Sequence, residues 1–265
     1  MEDSFMLRII KSEFGRMFYK KSTKIIYAIT ILFPILIFYF FQQRWGNDYY
    51  TVDGVQYSLN NLNYPVTQML EFNALFIFII LPLFFSESLS SEIDSGGYKM
   101  ILLRPFKKWK LLIGKWIALM LTYMSMLLFV FLINSLIGYL FMPNVEYTSY
   151  YNINENLYLF DSIFYNLKFY SIIFIVHLSI LPIISLLSIL FKKTFLSFFG
   201  SIALLVGGIY ISVPLQNILF NTPDVAYSII GGTYELINML IFIFVTFLIF
   251  GVSLWMWNKR IGSIV

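Results

Sequence analysis

The apolar residues of this chain are gathered in long runs that contain no Asp, Glu, Lys or Arg. Six such runs stand out: 25–43, 72–86, 116–145, 169–191, 194–223 and 236–258. A helix needs about 20 residues to cross the hydrocarbon core of a bilayer. The pattern therefore predicts six membrane-spanning helices. The second run has only 15 residues, so we expect its helix to continue past Glu87 towards Ser91, with Glu71 left in the preceding loop.

Composition supports an all-α integral membrane protein over residues 1–265, with a single domain. Hydrophobic residues make up 59% of the chain and charged residues 12%, whereas an ordinary soluble domain carries about 25% charged residues. So few charges could not cover the surface of a soluble fold, which excludes a water-soluble enzyme or binding module. The chain has no cysteine, which excludes disulfides, thiolate metal sites and cysteine nucleophiles.

The basic residues fall almost entirely on one side of the predicted bundle. Of the 18 Lys and Arg residues, only Arg44 and Lys168 lie in the connections of the opposite side. The positive-inside rule then places the basic side and both termini in the cytoplasm. Because this charge determines topology, we expect the lipid bilayer and no nucleic acid as a partner.

Two segments outside the spans have patterns of their own. Helical periodicity within residues 1–24 predicts an amphipathic helix at the cytoplasmic membrane surface. Its apolar face holds Met6, Leu7, Ile10, Phe14, Met17 and Phe18, and its polar face holds Arg8, Lys11, Ser12, Glu13 and Arg16. This elbow helix anchors the first span and is a candidate for transmitting force from a cytoplasmic partner.

The other segment lies in the fifth run, which at 30 residues is longer than one span. Pro214 should break it, so we expect residues 213–232 to form an extracellular re-entrant hairpin. The outer loop 43–71 is polar, and we expect it to have little structure of its own.

Small residues recur in the fifth run at a spacing that permits close helix contact: Ala203 with Gly207, and Gly208 with Ser212. They could pack inside one subunit or form a seam between two subunits. The lone His177 lies in the middle of the fourth run, where we expect it to hydrogen-bond a neighbouring helix, with a proton relay as the weaker alternative.

Catalytic patterns are missing from the sequence. Gly114-Lys115 is followed by Trp116 rather than Ser or Thr, so it does not form a Walker A motif. A metal site at His177 would need further His or Cys ligands. We therefore expect no catalytic site, no metal and no directly bound cofactor.

The connection of residues 92–115 is the most informative stretch, with 8 charged residues in 24. It begins with Glu92 and Asp94, passes through Gly96-Gly97, and continues as an apolar stretch, 98–103, that stops before Pro105. The pattern predicts a short cytoplasmic helix between hinges. Such a helix could lie flat on the membrane or insert into a groove of a cytoplasmic partner.

This connection resembles the signature loop of ABC-2 type transporter permeases. The matching positions are Glu92, Gly96, Leu102, Leu103, Pro105, Lys108 and Gly114-Lys115. Gly97 stands where the family usually has Thr. The six spans, the elbow helix and the hairpin before the last span also agree with that family.

The resemblance implies a permease subunit in the plasma membrane of a bacterial cell, paired with a second permease that is identical or paralogous. Each would dock a separate ABC ATPase, two copies in all, which binds ATP-Mg and hydrolyses it. It implies a coupling role for Glu92, Gly96, Tyr98, Leu102, Leu103, Arg104, Pro105 and Lys108. In this assignment Glu92 is a cap or ion-pair partner at the start of the coupling helix. A path lined mainly by the second and fifth spans makes Ala203, Gly207, Gly208 and Ser212 dimer or pathway candidates.

The substrate is open at this level. Apolar spans with few charges favour an amphipathic cargo, and an antimicrobial or cytolytic peptide, in export or immunity, is our first hypothesis. A drug, lipid or glycan exporter of the same class is an alternative. A stand-alone secondary transporter or channel subunit is another, although the sequence lacks the paired intramembrane charges or internal repeat expected of one.

Overall fold

The computed structural model describes residues 2–97 and 108–260. Within them the chain is an all-α bundle, which confirms the predicted fold class. Long helices form because the apolar runs can satisfy their backbone groups only internally once they are surrounded by lipid. The helices are α1 Glu2–Tyr19, α2 Lys21–Ile37, α3 Tyr64–Leu75, α4 Leu81–Asp94, α5 Lys108–Phe141, α6 Leu159–Leu178, α7 Ile180–Phe191, α8 Thr194–Ile211, α9 Val213–Phe220, α10 Thr222–Ile230 and α11 Leu236–Arg260.

Six helices of the described chain are long and apolar enough to cross a membrane. In order, these spans are Lys21–Arg44, Tyr64–Asp94, Lys108–Phe141, Leu159–Phe191, Thr194–Ile211 and Ile237–Arg260. The first and second spans each contain a π-helical segment, at Phe38–Arg44 and Phe76–Ile80. The number of spans predicted from the sequence is therefore confirmed, whereas several of their boundaries differ.

The second span begins earlier than its uncharged run. Its helix starts at Tyr64, with Pro65 in the first turn, so the expectation that Glu71 belongs to the outer loop was wrong. Glu71 lies seven residues into this helix, about 10 Å below its start at 1.5 Å per residue. A carboxylate is tolerated there because it lies near the end of the span and its side chain is exposed.

The preceding loop is also more ordered than we expected. Strands β1 Tyr49–Val52 and β2 Val55–Ser58 form an antiparallel hairpin. Asp53 and Gly54 form its two-residue turn with positive φ angles of 47° and 78°, as such tight hairpins require. A second short pair, β3 Tyr147–Thr148 with β4 Leu157–Tyr158, lies between the third and fourth spans.

The fifth span ends at Ile211, and Ser212 is extended. Pro214 then lies in the first turn of α9, where its missing N–H costs no hydrogen bond. The segment that we predicted as a hairpin, residues 213–232, consists of the short helices α9 and α10. Thr222 and Pro223 begin α10.

The spans differ greatly in how much protein surrounds them. The most apolar window of the fourth span is 67% buried and that of the second span 61%, whereas the fifth and sixth spans reach only 17% and 6%. The second and fourth spans thus form the centre of the subunit, and the fifth and sixth spans lie at its periphery.

Polar contacts identify the two ends of the bundle. At one end, which we call the basic end, residues of α1 and of the second, third and fifth spans join in ion pairs. At the other end, the loop end, the loop before the second span contacts the loop after the third span, through Asn60 Nδ2 to Thr148 Oγ1 at 2.8 Å and Asn61 Nδ2 to Asn144 Oδ1 at 2.7 Å.

Candidate functional site at the basic end

The last two turns of the second span present three acidic side chains, Glu87, Glu92 and Asp94, which we call the carboxylate cluster. Each of them pairs with a basic residue from a different part of the chain. The centre of the cluster is Glu92, whose Oε1 lies 2.8 Å from Arg16 of α1 and whose Oε2 lies 2.7 Å from Nζ of Lys115 in the third span.

The central pair of the cluster, Glu92 with Lys115, is largely buried and differs in this from an ordinary surface ion pair. The Lys115 side chain is only 3% exposed and that of Glu92 is 14% exposed. Glu13 of α1 is also buried and pairs with Arg16. A charge so far removed from water is stable only with close partners, so the four side chains fix α1 against the second and third spans.

The elbow helix can come this close because the third span has a glycine at the contact. A Cβ at Gly114 would lie 2.6 Å from Cγ2 of Ile9, which is well inside van der Waals contact. Gly114 and Lys115 therefore act together, since the glycine permits the approach of α1 and the lysine anchors the carboxylate beside it.

The two outer members of the cluster extend the same connection. Lys20, between α1 and the first span, lies 3.4 Å from Glu87 and donates to Ser91 Oγ at 3.1 Å. Asp94 pairs with Lys193 at 2.6 Å and accepts a hydrogen bond from the backbone N–H of Thr194, the first residue of α8. The end of the second span is thus bonded to the elbow helix, the third span and the fifth span.

Three of the residues assigned to ATPase coupling are described by the structure, namely Glu92, Gly96 and Lys108. Glu92 lies in the last turn of α4, not at the start of a separate helix, and Gly96 ends the helix with a φ of +74°. Lys108 begins the third span, and its carbonyl accepts a hydrogen bond from Trp257 of the sixth span at 3.0 Å. The other assigned positions, Tyr98, Leu102, Leu103, Arg104 and Pro105, lie outside the described residues.

The small residues of the fifth span lie at the periphery. Ala203 is exposed and Gly207 and Gly208 are half-buried. Within the described chain, no neighbouring helix or side chain comes within 4 Å of a Cβ placed on Gly207. Gly208 and Ser212 line an apolar cavity of about 450 Å³ between the fifth and sixth spans.

A second polar group lies inside the bundle, around His177. Its Nε2 lies 2.9 Å from Asn73 Oδ1, and its Nδ1 is bonded to the hydroxyl of Tyr123. The Asn73 amide donates to the carbonyls of Leu219 and Phe220 at 3.1 and 2.7 Å. These roles are mutually consistent for a neutral imidazole with its proton on Nε2, so His177 bonds to neighbouring helices as we expected.

Sequence reasoning missed part of this site. Glu13 was placed on the water-facing side of the elbow helix, but it is buried against the bundle. The sequence did contain one sign that Glu13 could be accommodated in the bundle, because its spacing from Arg16 allows the two side chains to pair on one face of the helix. The structure places no group of three or more acidic or histidine side chains suited to a metal within residues 2–97 and 108–260.

Comparison with known proteins adds one finding. A family model described as ABC-2 family transporter protein matches residues 9–208, which is more than half of the chain. The match includes the elbow helix from Ile9 onwards, the carboxylate cluster and the first five spans up to Gly208. Neither the curated proteins nor the solved structures contain a match.

Proposed function

The chain belongs to the ABC-2 transporter family, and from this premise we propose that it is the permease subunit of an ATP-driven exporter. A separate ATPase would dock at the basic end, bind ATP-Mg and hydrolyse it. The observation that carries the proposal is the carboxylate cluster, because it bonds the end of the second span to three other elements and immediately precedes the connection 98–107 in the sequence.

The proposed orientation places the basic end in the cytoplasm of a bacterial cell. Sixteen of the 18 basic residues belong to the connections of this end, which the positive-inside rule assigns to the cytoplasm. Both termini then lie in the cytoplasm, where a soluble ATPase could reach the connection.

The ion pairs suggest how movement of the ATPase would reach the membrane. In the sequence, residues 98–107 connect Gly97, just after the end of α4, to Lys108, the first residue of the third span. A push on it would act on Glu92 and Asp94, and through Arg16 and Lys193 on the elbow helix and the fifth span. Because the Glu92–Lys115 pair is largely withdrawn from water, its attraction is little screened and it could transmit such a displacement.

Co-purification tests this proposal. The tagged permease is co-expressed with a candidate ABC ATPase from the same genome, and the complex is isolated in mild detergent. We expect a stable complex whose ATPase activity exceeds that of the soluble subunit alone. A permease that recovers no ATPase, but transports in vesicles energised only by a proton gradient, would instead be a stand-alone secondary transporter.

We further propose that two permeases pair along the fifth span. Its small residues Ala203 and Gly207 leave space at the periphery of the subunit, and such surfaces favour close helix contact in membranes. Helix α8 would then face both the partner subunit and the translocation path.

A pair of glycine variants tests the dimer. Gly207→Leu is expected to lower the dimer fraction about tenfold, because the added side chain separates the two helices by van der Waals exclusion. Gly251→Leu in the sixth span is the matched control, since a Cβ there also meets no described neighbour within 4 Å. Single-molecule photobleaching in nanodiscs measures the dimer fraction. Equal fractions for the two variants would exclude this face as the seam.

For the cargo we propose an amphipathic molecule, with an antimicrobial or cytolytic peptide, in export or immunity, as the first hypothesis. The cavity of about 450 Å³ beside Gly208 and Ser212 supports this, because its lining is mostly apolar and it adjoins the fifth span. A drug, lipid or glycan of similar character is the second candidate.

A further inference from the structure

A second cavity, different from the apolar one, lies at the loop end. It measures about 270 Å³ and is formed by the end of the first span, the β1–β2 hairpin, the start of the second span and α10. The residues that matter for its chemistry are Phe41, Tyr49, Tyr50, Gln68, Glu71 and Asp224.

The charge of this cavity is negative. Glu71 and Asp224 both line it, and the ion pairs of the described residues include neither. Burial raises the pKa of Asp224 to about 6, and the nearby Asp53 carboxylate adds to this shift. A carboxyl group in such surroundings gains most from a cation placed beside it.

Gln68 gives an independent sign that a ligand belongs here. Its side chain lines the cavity and is only 3% exposed. Its Oε1 is buried and has no hydrogen-bond partner among the described residues. A buried acceptor left without a donor costs free energy, and a bound N–H donor would remove that cost.

The remaining walls indicate which kind of cation fits. Phe41 and Tyr49 contribute aromatic rings, and the faces of such rings attract organic ammonium groups. A divalent metal prefers several carboxylates at once, and the described residues contain no group of three acidic or histidine side chains suited to one. An ammonium with three N–H donors can instead bond two carboxylates and an amide oxygen.

We propose that this cavity binds a primary ammonium group. The group could be presented by an amphipathic cargo, as on a lysine side chain, or by the head group of an aminophospholipid. The inference deepens the proposed export function and rests on it for the meaning of cargo. Binding itself is a property of the permease alone.

The test uses the permease without ATPase in nanodiscs of phosphatidylcholine. The probe is a fluorescent amphipathic peptide of Leu and Ser with one Lys, and the reference is the same peptide with that lysine acetylated. Fluorescence polarisation gives both affinities. We expect the lysine peptide to bind roughly tenfold more tightly, and we expect Glu71→Gln with Asp224→Asn to remove this preference.

Two further variants serve as controls for the loss of charge and for misfolding of the double variant. Glu146→Gln, on an exposed residue of another loop, removes the same charge and should retain the full preference. Glu71→Gln alone should lose part of it, and provides the result if the double variant fails to fold. Equal affinity of the two peptides for the native protein, or equal losses in the Glu146 and Glu71 variants, would overturn the proposal.

Two further arms separate the sources of the ligand and the two proposals. If the head group is the ligand, adding phosphatidylethanolamine to the discs weakens binding of the lysine peptide, whereas a site for free cargo is unaffected. If the native permease binds the two peptides equally but still co-purifies with the ATPase, only the ammonium site is overturned. Peptide preference without any ATPase association would overturn only the proposed exporter.

Discussion

The Leu102→Glu variant is expected to reach the membrane in normal amount and to lose its ATPase. Leu102 belongs to the apolar stretch 98–103 that we assign to the ATPase groove from the sequence. Moving a carboxylate from water into an apolar groove costs several kcal/mol, so the affinity for the ATPase should fall at least about a hundredfold. Co-purification and permease-stimulated ATP hydrolysis measure the loss.

The control for this variant is Val55→Glu, at a half-exposed position of the β1–β2 hairpin on the loop end. It introduces the same side chain on the opposite side of the membrane, where it should affect neither docking nor expression. If the Leu102→Glu protein still binds ATPase as tightly as the native protein, the apolar stretch lies on the membrane surface and the coupling assignment is wrong.

The second large effect is expected for Glu92→Gln. The glutamine keeps the shape of the side chain but removes the charge that lies 2.7 Å from Lys115 and 2.8 Å from Arg16. Breaking a buried pair costs 3–5 kcal/mol in general, and we expect about 3 kcal/mol here, since Glu13 also attracts Lys115. The thermal unfolding midpoint in detergent should fall, and stimulation of the ATPase should fall with it.

A second substitution distinguishes lost charge balance from lost shape. Lys115→Met in the Glu92→Gln background removes the buried ammonium and should restore part of the lost stability, while ATPase stimulation stays low because the link to α1 is still weakened. Asp94→Asn is the matched control, because its partner Lys193 is 62% exposed and exposed pairs contribute little to stability. Equal destabilisation by Glu92→Gln and Asp94→Asn would contradict the importance of burial.

The sequence was sufficient for the number of spans and for the fold class. Both follow from one strong physical constraint, because a helix in lipid must be apolar over about 20 residues. The family resemblance of residues 92–115 singled out Glu92 as a cap or ion-pair partner, but at the start of the coupling helix, and it did not predict the pairs with Arg16 and Lys115.

Boundaries and polar contacts were harder, because they depend on residues far apart in the chain. Glu71 was assigned to a loop since charge alone ended the run, whereas the cavity that accommodates it is formed by α10 and the β1–β2 hairpin. Glu13 is buried because Arg16 is beside it and Lys115 is near it. The hairpin itself was within reach, since Asp53-Gly54 is a strong turn signal that we did not use.

The π-helical segment Phe76–Ile80 separates two polar sites on one span. Asn73 lies before it and contacts His177, while Glu92 lies after it and contacts Lys115. A π turn contains about one more residue than an α turn, and one residue corresponds to a rotation of about 100°. In a regular helix, Asn73 and Glu92 would therefore point in directions that could not satisfy both partners. The wide turn acts like one inserted residue. It sets the direction of Glu92, near the end of the span, relative to that of Asn73 inside the bundle.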